Sequence, residues 1–97
     1  MPAYVVFIKN STIDAEELKT YGQKAAGARG DHKMVPLAFY GAVETLEGDP
    51  AEGVVLIQFP DMAAAKAWYH SPAYQDALQH RLKGADYRVI LTEGLGG

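Results

Sequence analysis

Phe59-Pro60-Asp61-Met62-Ala63-Ala64-Ala65-Lys66-Ala67-Trp68-Tyr69-His70-Ser71-Pro72-Ala73-Tyr74, running on to His80-Arg81, decides the fold of this chain. Pro60 ends a strand, because it has no amide hydrogen to give to a ladder. Asp61 follows as a helix N-cap, its carboxylate placed to accept from the free amides of the first turn. The helix after it carries Ala64, Ala65, Trp68 and Tyr69 along one side. Ser71-Pro72 then starts another helix: the hydroxyl caps it, and proline takes the first helical position, where its missing donor costs nothing. Tyr74, Ala77, Leu78 and Leu82 share the apolar face of this helix, and Arg81 lies on it too.

Upstream, Ala3-Tyr4-Val5-Val6-Phe7-Ile8-Lys9 is rich in β-branched and aromatic residues and predicts a first strand. Asp14 with Glu17 forms a capping-box pattern, and Leu18, Tyr21, Ala25 and Ala28 make the apolar stripe of a first helix that stops at Gly30. Gly22 and Gly27 weaken this helix and predict a close approach to whatever it covers. Val35 to Leu46 reads as a second strand, with a bulge or close contact at Gly41. A turn between Leu46 and Gly53 leads to a third strand, Val54 to Phe59. Gly84 stops the last helix, and Tyr87 to Glu93 supplies the fourth strand.

The order β-α-β-β-α-β in 97 residues predicts a single α+β domain, residues 1–97, of the ferredoxin-like kind. Four antiparallel strands carry the helices on one face. The first and third strands are central in that topology, and they are the two with apolar residues on both sides. Helices cover only one side, so the other presents a contiguous apolar patch. The economical cover is a second copy, giving a homodimer packed through the sheet face as a barrel-like pair.

Charge and composition narrow the function classes. A formal net charge of −3, with the basic residues scattered, argues against nucleic acid or an anionic membrane as partner. There is no cysteine, which removes disulfides, thiol catalysis and thiolate metal sites. The Tyr4–Ile8 run has no basic leader or cleavage site, and no apolar stretch approaches the ~20 residues of a membrane span, so a cytoplasmic protein is expected. The glycine-rich end, Gly94-Leu95-Gly96-Gly97, reads as ragged. No Gly-x-Ser-x-Gly elbow, Walker motif or dinucleotide fingerprint occurs.

In order and spacing, these residues resemble one family along almost the whole chain. The matching features are Ala3-Tyr4-Val5-Val6, Asp14, Tyr21, Glu44, Leu46-Glu47-Gly48, Phe59-Pro60 and Ala65. Trp68-Tyr69, Ser71-Pro72, Tyr74, Arg81 and Glu93-Gly94 complete the pattern. The chain resembles domain-of-unknown-function family thirteen-thirty, a branch of the dimeric α/β barrel superfamily. Where that family often shows a glycine pair, this chain has Tyr40-Gly41, and a tyrosine there narrows a pocket. The resemblance implies a dimer with a small-molecule cavity between helices and sheet. The wider superfamily includes cofactor-free oxygenases, lactone isomerases, haem-degrading proteins, chlorite dismutases and non-catalytic binders, and fold alone does not choose among them. The Asn, Trp and axial His of the haem-degrading relatives do not map onto Asn10 and Trp68 here, so no cofactor is expected.

Several residues are candidates for chemistry. Arg81, on an apolar face, needs an anion: either a ligand's carboxylate or enolate, or a structural partner such as Glu44, Glu93 or an acid of a second copy. Trp68 and Tyr69 are adjacent, so at most one points squarely into the core while the other borders it; both are candidate ligand-binding residues, and core packing explains Trp68 in particular. His80, beside Arg81, and Glu44 are the candidates for moving a proton. A surface histidine and a turn-edge carboxylate explain them as well. His32, His70 and His80 lack the spacing of a helical metal site, so no metal is expected. The six tyrosines suit a phenol-lined cavity or scattered core and interface roles. Two functions stay open: a cofactor-free oxygenase- or isomerase-like enzyme, and a non-catalytic binding or accessory dimer.

Overall fold

The computed structural model describes residues 1–96; Gly97, the last of the glycine-rich tail, lies outside them. Its order is β1 (Ala3–Thr12), α1 (Ala15–Gly27), β2 (Val35–Phe39), β3 (Gly53–Phe59), α2 (Met62–Tyr69), α3 (Pro72–Gly84) and β4 (Ala85–Glu93). The strands lie in the order β2-β3-β1-β4, all neighbours antiparallel, with β1 and β3 central. This is the predicted ferredoxin-like α+β arrangement, its second helical segment broken in two at His70-Ser71.

The break has the chemistry expected of it. Asp61 accepts from the Ala64 amide at 2.7 Å and starts α2. Ser71 caps α3 through the Tyr74 amide at 3.3 Å, with Pro72 at the first helical position. The two short helices point different residues inward: Ala65 and Trp68 from α2; Tyr74, Ala77, Leu78, Arg81 and Gly84 from α3. Leu82 does not join them and is 60% exposed.

Three expectations change. The second strand ends at Phe39, not Leu46, and residues 40–52 form an exposed loop; the register shift falls between Pro36 and Ala38 rather than at Gly41. Pro36 has no amide hydrogen, so the ladder is disturbed there. The first helix stops at Gly27, capped by Ala28, with Gly30 beyond it at φ +49°. The capping box is half made. Asp14 accepts from the Glu16 and Glu17 amides, but the Glu17 side chain is drawn to His80, and the Asp14 amide donates to the Gly84 carbonyl at 2.9 Å.

Parity along the strands separates the two faces. Val5, Phe7, Val55, Ile57 and Phe59 are buried beneath the helices with Trp68 and Tyr74. On the other face, Ala38, Leu56, Val6 and Ile90 stand in one row across the four strands, with Ile8 beside Val54 in the next. The molecule is only 17 Å thick, room for one sheet and one helical layer about 10 Å apart. Among the described residues nothing covers that second face.

Candidate functional site

α1 does not press its apolar stripe onto the sheet. None of its residues is fully buried; it leans on α3. At the crossing, Gly84 is essential, because a Cβ there would meet the Leu18 amide nitrogen at 2.9 Å. Two polar ties reinforce the contact: Lys24 Nζ to Asp76 at 2.7 Å, and His80 Nδ1 to Glu17 at 2.6 Å. Lys24 holds the Asp76 carboxyl below its usual range.

The stand-off leaves a cavity of about 440 Å³ between α1 and the sheet, within the size range of small-molecule sites. Leu18, Tyr21, Gly22 and Ala25 form one wall. Phe7, Val55, Ile57 and Tyr87 form the floor, Trp68 closes one side, and Phe39 and Tyr40 stand where β2 ends. Gly22 and Gly27 therefore have the opposite role to the predicted close approach: a Cβ at either meets nothing within 4 Å. At Gly22, the missing side chain is part of the cavity's volume.

The polar groups around this space are almost all donors. No Asp or Glu lines it; Lys9 and Arg29 do. Arg29 Nη2 donates to the Met34 carbonyl at 2.8 Å, and Lys9 Nζ lies 3.9 Å from Glu52. Trp68 is 2% exposed, and its Nε1 is buried without a hydrogen-bond partner.

Arg81 lies behind the cavity's aromatic wall. It is 5% exposed, with its guanidinium carbon 5.1 Å from the Tyr87 ring centroid and 6.0 Å from those of Phe7 and Tyr21. Among the described residues no carboxylate is within 4.0 Å of it, and its Nε has no partner. Neither Glu44 nor Glu93 pairs with it; within the chain the guanidinium is faced by aromatic rings and the Tyr74 hydroxyl, a weaker compensation than an acid gives.

Four tyrosines surround this charge as two hydrogen-bonded pairs. Tyr21 and Tyr74 hydroxyls are 2.8 Å apart, and Tyr40 bonds Tyr87. Burial, foremost, pushes the Tyr21, Tyr74 and Tyr87 hydroxyls above the ordinary phenol pKa, while the Arg81 charge opposes it in all three. Tyr40 takes a positive φ of 51°, and its ring lies where a Cβ on Gly53 would come within 2.7 Å. Gly53 thus makes room for the tyrosine that stands where the family glycine was expected, and Tyr40 narrows the cavity.

Of the candidates read from sequence, Trp68 lines the cavity and Arg81 stands behind it. Tyr69 does not line it: it faces a smaller depression with Val5, His70, Val89 and Leu91 on the far side of α2. His80 is on the α1–α3 seam, held by Glu17, and Glu44 is exposed in the 40–52 loop; neither lines the cavity. Sequence reasoning passed over Lys9 and Arg29 as site residues, and had Tyr21, Tyr40 and Tyr87 only among the six tyrosines that suit a phenol-lined cavity or scattered core and interface roles. Helical spacing with Leu18 marks Tyr21, and strand parity with Val89 and Leu91 marks Tyr87.

The family model described as "Domain of unknown function (DUF1330)" matches residues 2–95. The chain belongs to that family. No curated protein matches the sequence. Among solved structures, this DUF1330 chain is similar to RPA0582, a protein of unknown function from Rhodopseudomonas palustris, with a TM-score of 0.74 at 17% identity over 99% of this chain and 84% of that one. A dimeric ferredoxin-like protein of unknown function from Jannaschia gives 0.65 at 14%, covering 97% and 100%. SnoaB, a cofactor-independent oxygenase from Streptomyces nogalater, gives 0.59 at 11%, covering 99% and 94%. At such identities the likeness is one of fold.

Proposed function

We propose that this DUF1330 chain is a homodimeric binding protein for a small, largely apolar molecule held in the α1–sheet cavity. The cavity carries the proposal: it is open, walled by aromatic and aliphatic side chains, and bounded by donors with no acid among them. Trp68 would contact the ligand, and Arg81 would set the local potential. The bare row Ala38–Leu56–Val6–Ile90 supports packing through the sheet, as does the similarity to proteins described as dimeric.

The test uses the chain's single tryptophan, which lines the cavity. Propylbenzene titrated into the protein should change Trp68 fluorescence to saturation. Gly22→Leu, which fills the cavity without a clash at Cβ, should remove that response and leave the melting temperature at or above wild type. An undiminished response in Gly22→Leu places the ligand elsewhere and rejects the site.

The uncompensated Arg81 charge favours a second reading, an oxygenase- or isomerase-like enzyme in which it stabilises an enolate. The positions of His80 and Glu44 count against it, since neither lines the cavity. Conversion of a bound compound, followed by mass spectrometry, would decide for the enzyme.

A further inference from the structure

Two phenols joined by one hydrogen bond own two hydrogens and use only one. In the Tyr21–Tyr74 pair the two directions of donation differ in cost. Tyr74 is fully buried, and the Arg81 charge acts on it; Tyr21 lines the cavity. If Tyr21 donated to Tyr74, the Tyr74 hydrogen would be enclosed near a cation with no acceptor, which costs the full desolvation of a donor. Either hydroxyl can donate in this pair; donation from Tyr74 avoids enclosing its hydrogen beside the Arg81 charge and leaves the Tyr21 hydrogen for the cavity. In the Tyr40–Tyr87 pair both partners line the cavity and their bond is exposed, so the hydrogen left over is available to a ligand at the cavity mouth. Trp68 Nε1 is a further unpartnered donor in the same wall, and Arg81 Nε an unpartnered one behind it.

We propose that the cavity selects ligands whose apolar body carries one anionic oxygen, a carboxylate or an enolate, that accepts from the spare phenol hydrogens of Tyr21 and of the Tyr40–Tyr87 pair. This rests on the cavity being the binding site, and deepens it by assigning the chemical class of the occupant. Arg81 is a positioning residue: separated from the space by the Phe7, Tyr21 and Tyr87 rings, it polarises the phenols toward donation and supplies the charge an anion needs. The protein's formal net charge is −3, yet the boundary of this space holds only cations, Lys9, Arg29 and, one layer out, Arg81. An anionic ligand is drawn to the cavity against the overall charge of the molecule.

The experiment compares ligands on one apolar body, read by Trp68 fluorescence and calorimetry at neutral pH: hydrocinnamate, hydrocinnamyl alcohol and propylbenzene, with dimedone as the enolate arm. Hydrocinnamate or dimedone should bind about tenfold or more tightly than the uncharged pair, the size of one good charge-assisted contact. Which of the two gains more separates carboxylate from enolate. Tyr87→Phe and Tyr40→Phe, conservative changes that keep both rings, should each reduce anion affinity several-fold and leave propylbenzene unchanged. Arg81→Gln should abolish the anion preference and Arg81→Lys should restore part of it. A merely structural arginine would weaken all ligands alike. Propylbenzene binding with no anion preference overturns this inference and leaves the cavity as the site. A cavity that takes none of the four overturns both.

Discussion

Arg81 has the least ordinary surroundings of any side chain in the molecule. A buried guanidinium usually has a carboxylate; this one has ring faces and phenols, and its charge is felt by Tyr21, Tyr74 and Tyr87. Burial dominates for all three tyrosines and raises their pKa values above the ordinary 10.0. A raised folded-state pKa means the unfolded chain releases these protons first. The stability held by the neutral phenols is complete below pH 10 and is lost as pH rises beyond it. Urea midpoints measured from pH 8 to pH 11.5, roughly the range in which phenols begin to ionise, should fall steeply above 10. Tyrosinate absorbance should show Tyr21, Tyr74 and Tyr87 ionising later than the other tyrosines. Ordinary titration of all six tyrosines in the folded protein would contradict the raised values of these three.

At the scale of elements, one helix governs the site. α1 bears an apolar stripe of the kind that ordinarily seats on a sheet, and the stripe instead walls a cavity because α1 is held off by α3. Two glycines show the difference. Gly84→Ala would drive a methyl group into the Leu18 backbone and should cost about 1–3 kcal/mol in chemical denaturation. Gly22→Ala meets empty space and should stabilise the chain by up to about 1 kcal/mol through helix propensity. Equal effects at the two positions would refute the stand-off. Helix starts were legible at Asp14, Asp61 and Ser71 because a cap is a local hydrogen bond between near neighbours in sequence. The end of β2 was not. Tyr40, Gly41, Val43 and Leu46 have the composition of a strand, but Tyr40, whose amide makes the last bond to β3 at Val54, turns at φ 51° and leads residues 41–52 away as a loop. His80 and Glu44 fall outside the cavity lining for the same reason: neighbourhood in sequence to Arg81, or to a strand end, says nothing of which side of α1 a group lies on.

For the whole molecule, the unresolved surface is the bare sheet. Val6, Ile8, Val54 and Leu56 are half-buried only by their neighbours in the sheet, and Ile90 is 40% exposed. A contiguous apolar face of this kind on a 17 Å slab is a surface for association. Light scattering at micromolar concentration should give twice the 10.5 kDa chain mass. Leu56→Lys, at the centre of the row, should give the mass of one chain, because a charge cannot be desolvated there without a partner. A wild-type particle of single-chain mass would reject the sheet-to-sheet dimer.

The sequence by itself determined the order of elements, the central strands, the helix starts and the family, because each rests on local chemistry: capping atoms, strand parity, and proline's missing hydrogen. Tertiary structure alone decided the cavity. The cavity exists because α1 rests on α3 at Gly84 and stands away from the sheet. The tyrosine pairs and the unpaired Arg81 exist because residues 53 and 47 positions apart meet across that gap. Distances of that kind are set by packing, and no spacing along the chain records them.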